Sequence, residues 1–205
     1  MKRVIVTAGP TREAIDPVRF ISNKSTGKMG YAIAEEAAKK YHVFLISGPT
    51  NLTPPTACTF IPVTTAEEMY DKVSQLLDDA DILVMTAAVA DYRPKFKADQ
   101  KIKKTEGPFV IEMERTKDIL LEMSKRKQSH HTFIGFAAET EHLLENARRK
   151  LQQKKLDWII ANDVSNPEIG FGSDKNAVTV IGQKRRFSLP VMSKKKLAAA
   201  ICKLF

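Results

Sequence analysis

Residues 81–88 read Asp-Ile-Leu-Val-Met-Thr-Ala-Ala, an apolar run without polar alternation. A strand with one wet face alternates apolar and polar residues, so continuous apolar character demands cover on both faces. That confines the chain to a sheet with helices on each side, which in practice means parallel strands joined by helical crossovers. The rest of the sequence agrees. Residues 4–8 form a second buried run, followed by an amphipathic helical pattern over 29–40. Further strands are predicted at 43–47, 59–63, 132–137 and 157–161, and helices at 66–80, 118–127, 143–155 and 194–204. Thr64 or Thr65 is the expected N-cap of the 66–80 helix, with Glu67 and Glu68 in its first turn; Ser193 is the expected cap of the last helix.

Residues 176–181 and 186–189 read as a β-hairpin around 182–185, with Gly182 able to supply a positive φ. Residues 109–114 alternate Phe-Val-Ile-Glu-Met-Glu and read as a strand at a sheet edge. Hairpin and edge strand together offer a surface for another subunit. The expected architecture is α/β: a three-layer Rossmann-like fold with a mostly parallel sheet, a basic flap and a C-terminal β-hairpin, forming a single domain over residues 1–205.

In such a sheet the C-termini of the parallel strands share one edge, and ligands bind there. Small and polar residues gather at those ends: Gly9-Pro10-Thr11, Ser47-Gly48-Pro49, Ala87-Ala88-Val89-Ala90-Asp91, Ala138-Glu139-Thr140 and Asn162-Asp163. The connection after the first strand is longer than the usual strand–helix loop and includes residues 16–30, Asp-Pro-Val-Arg-Phe-Ile-Ser-Asn-Lys-Ser-Thr-Gly-Lys-Met-Gly. It has neither Walker A spacing nor a G-x-G-x-x-G fingerprint, since Gly9, Gly27 and Gly30 are too far apart. Its end, Ser25-Thr26-Gly27-Lys28, opens a helix with small residues and a lysine, which suits an anion. Residues 89–107 are polar, lack helical periodicity and read as a flap outside the core. Within them, residues 93–104 carry Arg93, Lys95, Lys97, Lys101, Lys103 and Lys104 against Asp99 alone. With a net charge of +9, this points to an anionic partner.

No apolar run reaches membrane-spanning length, and Met1-Lys2-Arg3 leads straight into a strand without a signal-peptide pattern. Cys58 and Cys202 lie far apart, and with four scattered histidines they make no metal-site spacing. A reducing, cytoplasmic setting is expected.

Residue chemistry alone leaves three classes open: an enzyme acting on a polyphosphate, a nicotinamide-dependent oxidoreductase, and a nucleic-acid-binding module. The missing fingerprint disfavours the second, and the third leaves residues 16–30 without a purpose. The motifs decide further. Thr7-Ala8-Gly9-Pro10-Thr11-Arg12-Glu13, the 16–23 stretch, Ser25-Thr26-Gly27-Lys28-Met29-Gly30, Ala87-Ala88-Val89-Ala90-Asp91-Tyr92-Arg93, Lys101-Ile102-Lys103-Lys104, Gly135-Phe136-Ala137-Ala138-Glu139-Thr140 and Asn162-Asp163-Val164, with Gly170-Phe171 and Ser173-Asp174, occur in order. Together they closely resemble phosphopantothenoylcysteine synthetase, in many bacteria the C-terminal half of a bifunctional coenzyme A biosynthesis protein.

The resemblance implies a ligase that activates the phosphopantothenate carboxylate with CTP as an acyl-cytidylate, then forms an amide with L-cysteine. It implies magnesium, a homodimer, and neither nucleic acid nor membrane as partner. No flavin is expected, because the resemblance does not include the flavin-dependent decarboxylase half. By the same resemblance Asn23 and Lys101 are catalytic, and Arg19 and Asn23 meet the acyl substrate. Gly9, Ser25, Gly27, Lys28, Asp91, Lys101, Lys117, Asp118, Ile119, Leu120, Phe136, Lys150 and Lys154 bind nucleotide, the last two on one helix face. Read without it, Asn23 closes a turn, Phe136 is a core aromatic, Asp91 caps a loop, Arg19 makes a surface ion pair and the lysines are solvated. The sequence departs from the family pattern at Thr26, where serine is usual, and at Thr116-Lys117, where Asn-Pro is common. No metal ligand is assigned.

Overall fold

The computed structural model describes residues 1–104, 106–139, 141–163 and 172–205. Val164, Gly170, Phe171 and Thr140 of the motifs above lie outside them. In chain order come β1 (Arg3–Ala8), β2 (Arg12–Ala14), β3 (Phe20–Ser22), α1 (Lys28–Ala37), β4 (His42–Ser47), β5 (Thr59–Pro62) and α2 (Ala66–Leu76). Next are β6 (Ile82–Met85), β7 (Tyr92–Pro94), β8 (Met113–Arg115), α3 (Ile119–Lys125), β9 (Thr132–Glu139) and α4 (Leu143–Gln153). The chain closes with β10 (Trp158–Asp163), β11 (Lys175–Gly182), β12 (Arg186–Ser193) and α5 (Lys194–Ile201).

The apolar run at 81–88 sits mid-sheet. Its four strand residues are all buried, between β1 and β9 and parallel to both. The main sheet has eight strands in the order β12-β11-β10-β9-β6-β1-β4-β5. From β5 to β10 every pairing is parallel; β11 and β12 are antiparallel. The parallel part follows the 3-2-1-4-5-6 order of dinucleotide-binding sheets. Strand alternation divides the core in two. Ile5, Leu83, Phe133 and Ile159 pack under α2, α3 and α4 on one face. Val4, Val6, Val84, Ile134 and Ile160 pack under α1 and α5 on the other. This is the expected three-layer arrangement, with both faces covered.

Local signals act as predicted in several places. Thr65, rather than Thr64, caps α2: its side chain accepts from Glu68 N–H while Glu68 reaches back, a reciprocal capping box. Ser193 caps α5 by accepting from Lys196 N–H at 3.3 Å.

Other expectations need correction. The 109–114 strand is displaced: only Met113–Arg115 is extended, and it pairs with β7 in a separate two-stranded ribbon. The flap is not wholly outside the core, since Ala90 and Pro94 are buried. Its basic residues do not face Asp99 alone either: Arg93 pairs with Glu67 and Glu114, and Lys95 with Glu112. Those acids come from elsewhere in the chain, which a linear charge count cannot register. The long connection contains a ribbon of its own, β2 with β3. The hairpin is longer than predicted and continues the main sheet beside β10, so that of its two strands β12 lies at the sheet edge. Gly182 is not among the glycines with positive φ; a Cβ there would lie 2.5 Å from the Trp158 ring, so it is glycine for want of space.

Candidate active site

In this topology β1 runs through α1 to β4 on one side, while α2 carries the chain back to β6 on the other. The strand order therefore reverses between β1 and β6, and a crevice opens beyond their C-terminal ends. A cavity of about 880 Å³ occupies it. Residues 23–30, 85–89 and 116–120 line it, with Phe136 and Ala137 from β9, Lys150 and Lys154 from the α4 region, and Asn162 from β10.

The entrance to α1 is built for close approach. Gly27 lies at φ 79° and Gly9, behind it, at φ 70°, conformations only glycine adopts at little cost. No side chain caps α1, whereas Thr65, Asp118 and Ser193 cap α2, α3 and α5. The first-turn N–H groups of α1 thus remain available to a ligand. Ser25 Oγ accepts from Gly27 N–H at 3.3 Å and steadies the turn. Lys28 Nζ lies 2.7 Å from Asp174 Oδ1 and donates to Gly172 O at 3.0 Å. That contact holds the Asp174 carboxyl below its ordinary range.

Asn23 donates from Nδ2 to Ala88 O at 3.0 Å and to Val89 O at 3.2 Å. Two carbonyls can only accept, so the amide nitrogen must face them. It is Oδ1, an acceptor, that is left free for a ligand. A donor role toward an acyl oxygen would require Nδ2 to release one carbonyl. The 88–91 loop is itself anchored: Ala88 N–H donates to Gly9 O at 2.9 Å, and Ala90 N–H to Thr11 Oγ1 at 3.0 Å. Thr116 Oγ1 donates to Ala90 O at 2.5 Å, which ties the 116–120 segment to the same loop.

On that segment Asp118 caps α3 and lies 2.9 Å from Lys154 Nζ. Lys117 lines the cavity and turns its ammonium over the Tyr70 ring, 4.4 Å from the centroid. Phe136 is half-buried on the cavity wall. Asp91 lines the cavity with an exposed carboxylate.

The fold thus brings together Asn23, Ser25, Gly27, Lys28, Asp91, Lys117, Asp118, Ile119, Leu120, Phe136, Lys150 and Lys154. It does not bring Gly9, Arg19 or Lys101 to the cavity wall. Gly9 supports Gly27 from behind. Arg19 grips the buried Asp16 carboxylate through Nε at 2.9 Å and through Nη2, and donates to Ile102 O at 2.9 Å. Asp16 also accepts from Ile102 N–H at 3.1 Å, so the pair clamps the flap beside the exposed Lys101. Sequence reasoning missed Thr86, Asn176 and Lys194, which line the cavity, and gave Asn162 no role. Among the described residues, Asn162 Oδ1 is buried without a hydrogen bond. Its place at the end of β10 was a usable signal; Lys194 had none, being one of three consecutive lysines.

A family profile described as DNA/pantothenate metabolism flavoprotein C-terminal domain matches residues 1–205. The chain belongs to that family. It is 51% identical over 198 residues to the coenzyme A biosynthesis bifunctional protein CoaBC of Bacillus subtilis (strain 168), a match covering 94% of this chain and 48% of that protein. The CoaBC of Escherichia coli (strain K12) is 44% identical over 198 residues, covering 95% and 49%. The chain thus spans about half the length of the curated relatives it matches. A crystal structure of the C-terminal domain of a coenzyme A biosynthesis bifunctional protein CoaBC superimposes with a TM-score of 0.84 at 43% identity, covering 99% of this chain and 93% of that one. No helix among the described residues is long and apolar enough to cross a membrane.

Proposed function

We propose that this chain is a CTP-dependent phosphopantothenate–cysteine ligase of coenzyme A biosynthesis, acting in the cytoplasm. The observation that carries the reading is the cavity at the strand-order reversal, formed by the uncapped N-terminus of α1, in a chain that matches the C-terminal half of bifunctional coenzyme A proteins. The substrate carboxylate attacks the α-phosphorus of CTP; the bond to the β-phosphate oxygen breaks, giving acyl-cytidylate and pyrophosphate. The cysteine amine then attacks the acyl carbon, CMP leaves, and the amide forms with loss of the amine proton. No protein nucleophile is required, so the work is positioning and charge neutralisation.

In this reading the first-turn N–H groups of α1, with Gly27, Ser25 and Lys28, hold the triphosphate. Phe136, the backbone of 117–120, Lys150 and Lys154 hold the nucleoside. Asn162 Oδ1 is a ready acceptor for a ligand N–H. Asn23 Oδ1 is placed to accept from the incoming amine, and Lys101 closes over the site with the flap. Magnesium fits as a companion of the nucleotide. No cluster of three His, Cys, Asp or Glu exists among the described residues, but Mg²⁺ needs only one or two carboxylates beside phosphate oxygens, and Asp91 is such a carboxylate. When bound it screens charge on the phosphate chain. A homodimer is supported by exposed apolar residues on the two ribbons and the flap, Phe20, Tyr92 and Phe96 among them.

The test is pyrophosphate release with phosphopantothenate, magnesium and each nucleoside triphosphate in turn, with and without cysteine. CTP-specific release, with amide formed only when cysteine is present, is expected. N23A should slow the reaction by roughly 10²–10³-fold, as for loss of one preorganised polar contact. Folded protein that releases no pyrophosphate with any nucleotide refutes the reading.

A further inference from the structure

Lys194 is the first residue of α5, lines the cavity and is only 9% exposed. Among the described residues its ammonium makes no hydrogen bond and no ion pair within 4 Å. Its backbone N–H donates to Asp174 O at 2.9 Å. Burial lowers its pKa, the nearby Lys28 lowers it further, and Asp174 acts in the opposite sense. Buried ammonium groups are costly unless paired, and almost all buried lysines have partners.

Its neighbours sharpen the anomaly. Asp174, the nearest acid, is already engaged by Lys28 Nζ at 2.7 Å. Lys28 is the first residue of α1 as Lys194 is of α5, and neither helix has an acid in its first turn. The N-terminal end of a helix carries partial positive charge, so both lysines sit at the unfavourable end. Two positive helix ends, each with a lysine as its first residue, meet at one cavity; the carboxylate beside them, Asp174, is 86% exposed and already engaged by Lys28, while Asp91 and Asp118 line the cavity from other segments. The arrangement is unfavourable for an empty protein and favourable once a polyanion enters.

We propose that Lys194 is a phosphate ligand, its ammonium closing on a phosphoryl group seated at the N-terminus of α1. This rests on the cavity being the substrate site. Two substrates of the proposed reaction carry phosphate: the triphosphate of CTP and the phosphomonoester of phosphopantothenate. The position beside the α1 entrance favours the triphosphate.

The experiment compares wild type, K194M, K194R and K195M. Lys195 is the control, since its side chain is 83% exposed and reaches toward Glu35. Inorganic tripolyphosphate and phosphopantothenate are titrated separately by calorimetry, and KM for CTP and for phosphopantothenate is measured in turnover. Met keeps the stem and removes an unpaired charge, so K194M should melt at or above the wild-type temperature; K194R supplies a charged variant if it does not fold. Tripolyphosphate binding and KM for CTP should each weaken at least tenfold in K194M, recover partly in K194R and stay unchanged in K195M. Weakening confined to phosphopantothenate would support the proposal with the acyl substrate as the phosphate source. Unchanged binding of both ligands in folded K194M, or no binding of either by wild type, would overturn it. The titrations need no turnover, so a wild type that binds tripolyphosphate yet releases no pyrophosphate from CTP refutes the ligase reading and leaves Lys194 testable.

Discussion

Gly30→Ala tests how the packing of α1 sets the site. Glycine inside a helix is a weak choice, and alanine in its place should stabilise by about 1 kcal/mol if the space were open. The space is not open. A Cβ at Gly30 would fall closest to Thr86 Oγ1, 2.6 Å from Ala8 Cβ and 3.0 Å from Thr7 O. Two of those atoms belong to β1, a central strand that cannot yield. Thr86 is held too, because its hydroxyl donates to Thr7 O at 2.5 Å and would lose that bond by rotating. To restore ordinary contact the helix must retreat by about 0.8 Å, the difference between 2.6 and 3.4 Å. Overpacking of this kind costs about 1–3 kcal/mol. Set against the gain in helix propensity, the net loss is up to about 2 kcal/mol, or up to roughly 8 °C in melting temperature for a chain of this size. The same retreat carries Gly27 and Lys28 away from the cavity, and misplacement near 1 Å can cost on the order of 10²-fold in rate. Thermal unfolding followed by circular dichroism reads the first effect, and pyrophosphate release reads the second. A melting temperature equal to or above wild type would refute the reasoning, because propensity would then have met no opposing contact.

Two further outcomes follow from buried groups. Asp16→Asn should loosen the flap, since the carboxylate accepts from Val18, Arg19 and Ile102 N–H as well as the guanidinium; faster hydrogen exchange at Ile102 with unchanged secondary structure is the expected result, and unchanged exchange counts against the clamp. Arg19 holds the Asp16 carboxyl well below the usual carboxylate range. A depressed folded value stabilises above the unfolded pKa, near 3.8, and is lost as pH falls through the lower folded value. Wild-type protection at Ile102, corrected for intrinsic rate, should therefore hold from pH 8 down to about pH 4. The thiols should be sluggish: burial pushes Cys202 up to about 12 and raises Cys58 as well. At pH 8 the Cys202 thiolate fraction then drops roughly a thousandfold relative to a thiol of ordinary pKa. Both thiols should react with a disulfide reagent slowly before unfolding and fast after it, and rapid labelling of the native protein would contradict this.

Much of the fold was legible because it depends on which faces must be dry. The run at 81–88 could only be a covered strand, and the strand–helix alternation required a parallel sheet with binding groups on one edge. Twelve of the site residues named from sequence do meet at one cavity. The failures were of a different kind. The short ribbons β2–β3 and β7–β8 carry too few residues for periodicity to register and exist because distant segments pair. Arg19, expected at substrate, lies off the cavity wall and holds Asp16 and Ile102, the latter contact spanning 83 residues of sequence, which no local pattern registers.

The sequence by itself determined the layer architecture, the edge on which ligands bind and the small-residue, lysine-bearing entrance to α1. All three follow from local composition and period. Tertiary structure alone decided which charges are available. Lys194, Lys195 and Lys196 are identical in sequence, yet only the first is buried at the cavity. Arg93 and Lys95 look like free cations until Glu67, Glu112 and Glu114 arrive from elsewhere. The physical reason is that burial and pairing depend on neighbours in space, and those neighbours are set only when the sheet has closed.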